Sequence, residues 1–149
     1  MTAAGLIFSN IHDQSIPEMT RRRTMASIPF GCRYRLVDFA LSNMVNSDIT
    51  TVGVVTHYNY QSLMDHIGAG KDWDLARRAG GVNFVSPFQT AYTASSKMFT
   101  TRLEALINMK EYINEFKEEY VVLMDSSSVL NIDIADVLRA HERSGAEIT

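Results

Sequence analysis

Leu36-Val37-Asp38-Phe39-Ala40-Leu41-Ser42-Asn43-Met44-Val45, followed five residues later by Thr51-Val52-Gly53-Val54-Val55-Thr56, decides how this chain folds. In the first stretch Leu36, Val37, Phe39, Ala40, Leu41, Met44 and Val45 recur at steps of three and four, which marks a helix with a broad buried face. The second is a short β-branched run, the mark of a strand buried on both faces. Upstream, Ala3-Ala4-Gly5-Leu6-Ile7-Phe8-Ser9 has the same strand character. A strand, a helix and a strand in that order form a βαβ unit with a parallel sheet.

The alternation continues. Leu63, Met64 and Ile67 belong to a short helix that stops at Gly68, and Val82-Asn83-Phe84-Val85 is a shorter strand entered through Gly80-Gly81. Thr101-Arg102-Leu103-Glu104 is a capping box that opens a helix with the apolar face Leu106, Met109, Ile113 and Phe116. Tyr120 to Met124 reads as a buried strand, and Asp133 to Ser144 as a helix capped by Asp133 and ended by Gly145. Ala146 to Thr149 has the character of a strand that has only begun, so the chain is expected to be a piece of a larger protein. Between the first strand and first helix, Asn10 to Arg23 has no apolar period and is expected to be a long surface loop.

The 149 residues suit about one domain, able to bury roughly 70% of the unfolded surface. Apolar residues are 46% and charged residues 21%, which excludes disorder, and no run reaches the ~20 apolar residues of a membrane span. The start lacks the basic and apolar pattern of a secretory signal, and Cys32 is the only cysteine, so no internal disulfide forms and a cytoplasmic setting is expected. The net charge of −3 speaks against nucleic-acid binding. Its distribution is uneven: Arg21, Arg22, Arg23, Arg33 and Arg35 crowd the first part, and carboxylates dominate beyond Glu104. An anionic small ligand near the front fits that asymmetry, as does a solvated basic loop.

Several chemical motifs fail on spacing. Gly68-Ala69-Gly70-Lys71 is not a phosphate loop, because Asp65 and Asp72 stand where Gly and Ser or Thr are needed. His12, His57, His66 and His141 show no metal-ligand spacing. Ser126-Ser127-Ser128 follows a strand but lacks the Gly-x-Ser-x-Gly elbow.

The run from Arg23 through Thr24-Met25-Ala26-Ser27-Ile28-Pro29-Phe30-Gly31-Cys32-Arg33-Tyr34-Arg35 to Leu36-Val37-Asp38-Phe39-Ala40-Leu41-Ser42-Asn43 resembles a signature of the glucose-1-phosphate adenylyltransferase family. The likeness continues through Asn46-Ser47-Asp48-Ile49, Val54 to Tyr58 and Ser62 to Ile67. It implies a Rossmann-like, nucleotide-diphospho-sugar transferase-like α/β fold flanked by helices. Residues 1–149 would be the N-terminal part of that domain, truncated, with its remainder and a left-handed parallel β-helix domain downstream.

The family's reaction makes ADP-glucose for glycogen from ATP and glucose 1-phosphate. Its members cradle the triphosphate on a Gly-Gly-x-Gly-x-Arg-Leu loop after the first strand; here that place reads Ser9-Asn10-Ile11-His12-Asp13-Gln14-Ser15. Met25 replaces the lysine of Arg-Ala-Lys-Pro, and Ser127 replaces the aspartate of Gly-Asp-His that helps hold magnesium. Thr100 to Glu104 replaces Gly-Thr-Ala-Asp-Ala. Asp125, two residues before Ser127, is a displaced carboxylate that leaves residual metal binding as an alternative but does not restore loop or lysine.

Loss of four elements of one reaction within a preserved scaffold resembles the catalytically degenerate D-type subunit of this family. The resemblance implies a regulatory chain with no catalytic residues, no metal and no cofactor of its own, in a hetero-oligomer with a catalytic sister that uses Mg2+ and ATP. Arg33 aligns with the family's basic residue in Phe-Gly-Gly-Lys, associated with phosphorylated activators, and Arg35 stands beside it. Both are candidate effector-binding residues, with pairing to carboxylates such as Asp38 as the structural alternative. Neither nucleic acid nor membrane is an expected partner. An active adenylyltransferase, and a sugar-phosphate or nucleotide binding module without an enzyme partner, remain the alternatives.

Overall fold

The computed structural model describes residues 1–86 and 101–149. In chain order, β1 (Ala3–Phe8) leads through a 3-10 turn (Asp13–Ser15) and a single-turn α1 (Pro17–Thr20) to a second 3-10 turn (Met25–Ser27). A small hairpin of β2 (Pro29–Phe30) and β3 (Tyr34–Arg35) then opens α2 (Leu36–Asn46). Next come β4 (Thr51–Val55), α3 (Gln61–Ile67), a 3-10 turn (Lys71–Trp73) and β5 (Gly81–Val85). The described chain ends with α4 (Arg102–Asn108), α5 (Lys110–Asn114), β6 (Tyr120–Asp125) and α6 (Ile134–Ser144).

The main sheet is parallel, in the order β5-β4-β1-β6. It is flanked by helices, as the βαβ reading requires. Strands are added outward from β1 to β4 and β5, after which β6 pairs on the other side of β1. The connections therefore change direction between β1 and β6, and an open parallel sheet binds ligands outside its carboxyl ends at such a point.

On one face of the sheet, Val37, Ala40, Leu41 and Met44 of α2 are fully buried with Ile7, Val52 and Val54. On the other, Leu6, Phe8, Val55 and Val85 pack against Ala105 and Met109. Gly53 keeps that second layer close: a Cβ there would come within 2.7 Å of Leu6 Cδ2 and 3.2 Å of the Tyr112 ring.

Four sequence expectations need correction. The segment after β1 is no featureless surface loop: it carries a 3-10 turn and α1, and buries Asp13 and Thr20 because their polar atoms find partners inside. The helix opened by the capping box breaks at Met109, whose φ of −100° and ψ of 11° leave the α region. The bend lets Ala105 and Met109 on one side, and Tyr112, Ile113 and Phe116 on the other, reach one apolar cluster. Among the described residues β6 is at the edge of the sheet with Val121 and Leu123 exposed, not a buried strand. Residues 146–149 form no strand; they are exposed, and the Thr149 hydroxyl lies 2.6 Å from His141 Nδ1.

Candidate functional site

The crevice between the carboxyl ends of β1 and β6 is built from the residues that follow those strands. Ser9 is buried, its hydroxyl donating to the Val55 carbonyl at 2.7 Å. Asn10 organises the loop: its amide donates to Asp13 Oδ2 at 2.7 Å and to the Tyr58 carbonyl at 3.1 Å, and its Oδ1 accepts from the His57 N–H at 2.8 Å. Asp13 Oδ1 accepts from the Met25 N–H at 2.7 Å, and the Asp13 carbonyl accepts from the Thr20 hydroxyl at 2.6 Å.

Burial pushes the Asp13 carboxyl above the usual carboxylate range, against the opposing pull of Met25, Asn10 and His12. Burial likewise lowers the proton affinity of His57. Met25 itself is only 6% exposed, so its thioether lies among packed groups and presents no charge.

Across the crevice, Asp125 closes β6 in register with Phe8. Its Oδ2 is 3.1 Å from His12 Nε2, and Arg102 forks onto it, with Nε donating to Oδ1 at 3.0 Å and Nη2 to Oδ2. Burial opposes ionisation of Asp125, but the bonds and charges of Arg102 and His12 outweigh it and hold the carboxyl below the usual range. Ser126 is buried and its N–H donates to the Phe8 carbonyl at 3.1 Å; Ser127, one residue on, is half-buried. A neutral hydroxyl thus stands at 127. Among the described residues no group of three or more His, Cys, Asp or Glu is placed to hold a metal ion.

Arg33 and Arg35 lie at the β2–β3 hairpin, and the fold separates their roles. Arg33 is exposed, its guanidinium 5.6 Å from the Tyr34 ring centroid, and it lines a cavity of about 970 Å³ that holds His66 and Lys71 together with the carboxylates Asp38, Asp72 and Asp74. Arg35 is half-buried. Its Nη1 donates to the Ser62 carbonyl at 2.6 Å and lies 2.8 Å from the Ser62 hydroxyl, while its backbone N–H donates to Asp38 Oδ2 at 2.9 Å. The other Asp38 oxygen lies 2.6 Å from His66 Nε2. Asp38 therefore partners the backbone of Arg35 and the ring of His66.

Sequence reasoning did not single out Asn10, Asp13, His12 or Arg102 as crevice residues. The signal was present for all four, since Asn10, His12 and Asp13 stand in the stretch that takes the place of the family's phosphate loop and Arg102 in the replaced segment that opens α4; Thr100 of that segment lies outside the described residues. Gly68 ends α3, as a plain helix terminus and not a phosphate loop requires, and Lys71 sits in the following 3-10 turn.

Comparison with known proteins agrees with this architecture. The nucleotidyl transferase family profile matches residues 16–149. The chain is 38% identical to the glycogen biosynthesis protein GlgD of Bacillus subtilis over 149 residues, covering 97% of this chain and 41% of that protein. It is 34% identical to GlgD of Geobacillus stearothermophilus, over 97% of this chain and 42% of that one. A glucose-1-phosphate adenylyltransferase of Fervidobacterium nodosum is 33% identical, over 97% and 34%. The chain thus spans about two-fifths of the length of the two GlgD proteins. A solved glucose-1-phosphate thymidylyltransferase structure from Bacillus anthracis superposes with a TM-score of 0.69 at 14% identity, covering 95% of this chain and 51% of that one, a likeness of fold alone.

Proposed function

From the premise that this chain belongs to the nucleotidyl transferase family, we propose that it is the regulatory, non-catalytic chain of a glucose-1-phosphate adenylyltransferase, supporting ADP-glucose synthesis for glycogen. One observation carries the reading. The loop after β1 has no glycine, and its polar groups are spent on one another: Asn10 on Asp13, Tyr58 and His57, and Asp13 on Met25. A phosphate cradle needs glycines that let successive backbone N–H groups turn toward a triphosphate, whereas here the N–H groups of Ser9, Asp13 and Ser15 donate to the Val55, Asn10 and His12 carbonyls. Met25, buried at the lysine position of the family pattern, adds no charge to reacting phosphates.

In this reading ATP and Mg2+ belong to a catalytic sister chain, which this chain joins in a hetero-oligomer. Arg33 and Arg35 form the effector-responsive element, Arg33 meeting a phosphorylated small molecule and Arg35 holding the hairpin on α3. A cytoplasmic setting is part of the same proposal. Among the described residues no helix is long and apolar enough to cross a membrane.

Incubating the purified protein with ATP, magnesium and glucose 1-phosphate tests the reading. No ADP-glucose forms above a blank, and adding the catalytic partner brings both turnover and its response to phosphorylated sugars. Loss of a single charge-stabilising group typically costs on the order of 100-fold or more, and groups acting as a unit are not restored singly, so Ser127→Asp alone stays inactive. Robust turnover by the lone protein, or by Ser127→Asp, overturns the proposal.

A further inference from the structure

The magnesium that catalytic members of the family use does not fit the crevice of this chain. Its one carboxylate at the end of β6, Asp125, is committed to Arg102 and His12, and the neighbouring Ser127 offers a neutral hydroxyl. The three paired residues come from three separate places: His12 from the β1 loop, Arg102 from the first turn of α4 and Asp125 from the last position of β6. Arg102 Nη2 is also 3.4 Å from His12 Nε2, so all three groups meet at one point, at the place where the sheet's connections reverse.

We propose that Arg102 is a built-in counter-cation: with His12 it clasps Asp125, and so holds the β1 loop, the start of α4 and the end of β6 together with neither metal nor nucleotide. Here the chain supplies the positive charge itself. The guanidinium suits the task because its planar fork meets both carboxylate oxygens at once, which the single ammonium of lysine does not. Arg102 is in this sense a positioning residue. The inference rests on the reading that this chain does not perform the transfer, but its test involves no turnover.

Thermal unfolding and amide hydrogen exchange of the purified protein, alongside Arg102→Ala, Arg102→Lys, Asp125→Asn and the Arg102→Ala, Asp125→Asn double variant, decide it. Each single substitution to Ala or Asn is expected to lower Tm by about 2–4 °C, and the double variant to melt no lower than the worse single, since both remove the same contact. Amides of residues 9–15 exchange faster in Arg102→Ala and partly recover in Arg102→Lys, a local change that general destabilisation would spread over the whole sheet. Magnesium leaves the Tm of the unaltered protein where EDTA leaves it.

Fully additive single effects overturn the clasp, as does unchanged exchange at residues 9–15 in Arg102→Ala. So does a magnesium-induced rise in Tm of the unaltered protein that Asp125→Asn abolishes. Should Arg102→Ala fail to fold, Arg102→Lys and the magnesium titration decide alone. ADP-glucose production by the lone protein would end the proposed function while leaving these readings to judge the clasp.

Discussion

The crevice between β1 and β6 and the hairpin that precedes α2 both gather charged side chains, yet they use them in opposite ways. In the crevice Asp125, His12 and Arg102 answer one another, the Asp13 carboxyl accepts from the Asn10 amide and the Met25 N–H, and Asn10 ties the loop to the segment after β4. At the hairpin Arg35 is tied down through Ser62, whereas Arg33 extends over Tyr34 beside a cavity of about 970 Å³. The comparison teaches that charge alone does not mark a site. A charged group whose hydrogen-bonding capacity is used within the fold stabilises that fold, and a neighbour with capacity left over is the one able to recognise a ligand.

The largest expected effect breaks the crevice. Asp13→Ala removes acceptors from the buried Met25 N–H and the Asn10 amide, and each polar group left unsatisfied costs about 1–3 kcal/mol. Denaturant unfolding should show a loss of about 2–4 kcal/mol. A loss under about 0.5 kcal/mol, the size of an ordinary surface change, would show that the network is not what closes the loop.

The next pair sharpens the contrast at the hairpin. Arg35→Ala forfeits the bonds to Ser62 and should cost about 1–2 kcal/mol of stability, whereas Arg33→Ala should cost almost none. In the complex with a catalytic partner, Arg33→Ala should weaken phosphorylated-sugar activation about tenfold, from the loss of one charge-assisted contact, with assembly intact. Equal stability losses in the two variants, or unchanged activation curves in Arg33→Ala, would dissolve the division of labour.

Acid titration of stability probes Asp13 more gently. Its carboxyl is raised above the model-compound value of 3.8 by burial, so between that value and the higher folded one the native state holds a proton that the unfolded chain has released. The contribution is therefore present at low pH and is lost as pH rises through the folded value. Because Asp13→Asn has no such proton, the stability of the unaltered protein relative to this variant should fall across that window. A difference that stays flat, or grows with pH, contradicts the burial argument.

The smallest expected change concerns the turn that presents Arg33. Cys32 adopts a φ of 72°, the left-handed region, next to Gly31 at 57°. A side chain there costs roughly 1–2 kcal/mol, and glycine returns part of that gain through the greater freedom of the unfolded chain. Cys32→Gly should thus stabilise by about 0.5 kcal/mol, measured as a rise in denaturation midpoint with an unchanged slope.

Much of the scaffold was legible without coordinates, because it depends on periodicities that short stretches carry by themselves. The spacing of Val37, Ala40, Leu41 and Met44 already describes the buried face of α2, and Thr101 with Glu104 and Asp133 with Gly145 mark helix ends by their own hydrogen bonds. The parallel order of β1, β4 and β5 follows from strands alternating with helices. The replacements in the β1 loop, at Met25 and at Ser127, were equally visible as residues out of keeping with the family pattern.

What only the tertiary structure decided are pairings between residues that no local pattern links. His12 and Asp125 stand 113 positions apart and meet because β1 and β6 are neighbours in the sheet. The break at Met109 and the exposure of β6 depend on what packs alongside, not on the residues within each element. The parting of Arg33 from Arg35 is of the same kind: two similar side chains two residues apart differ because α3 brings Ser62 to one of them. Local periodicity determines which elements form, since it is set by the geometry of a single helix or strand. The charge partners in the crevice and at the hairpin are set by which elements the sheet places side by side.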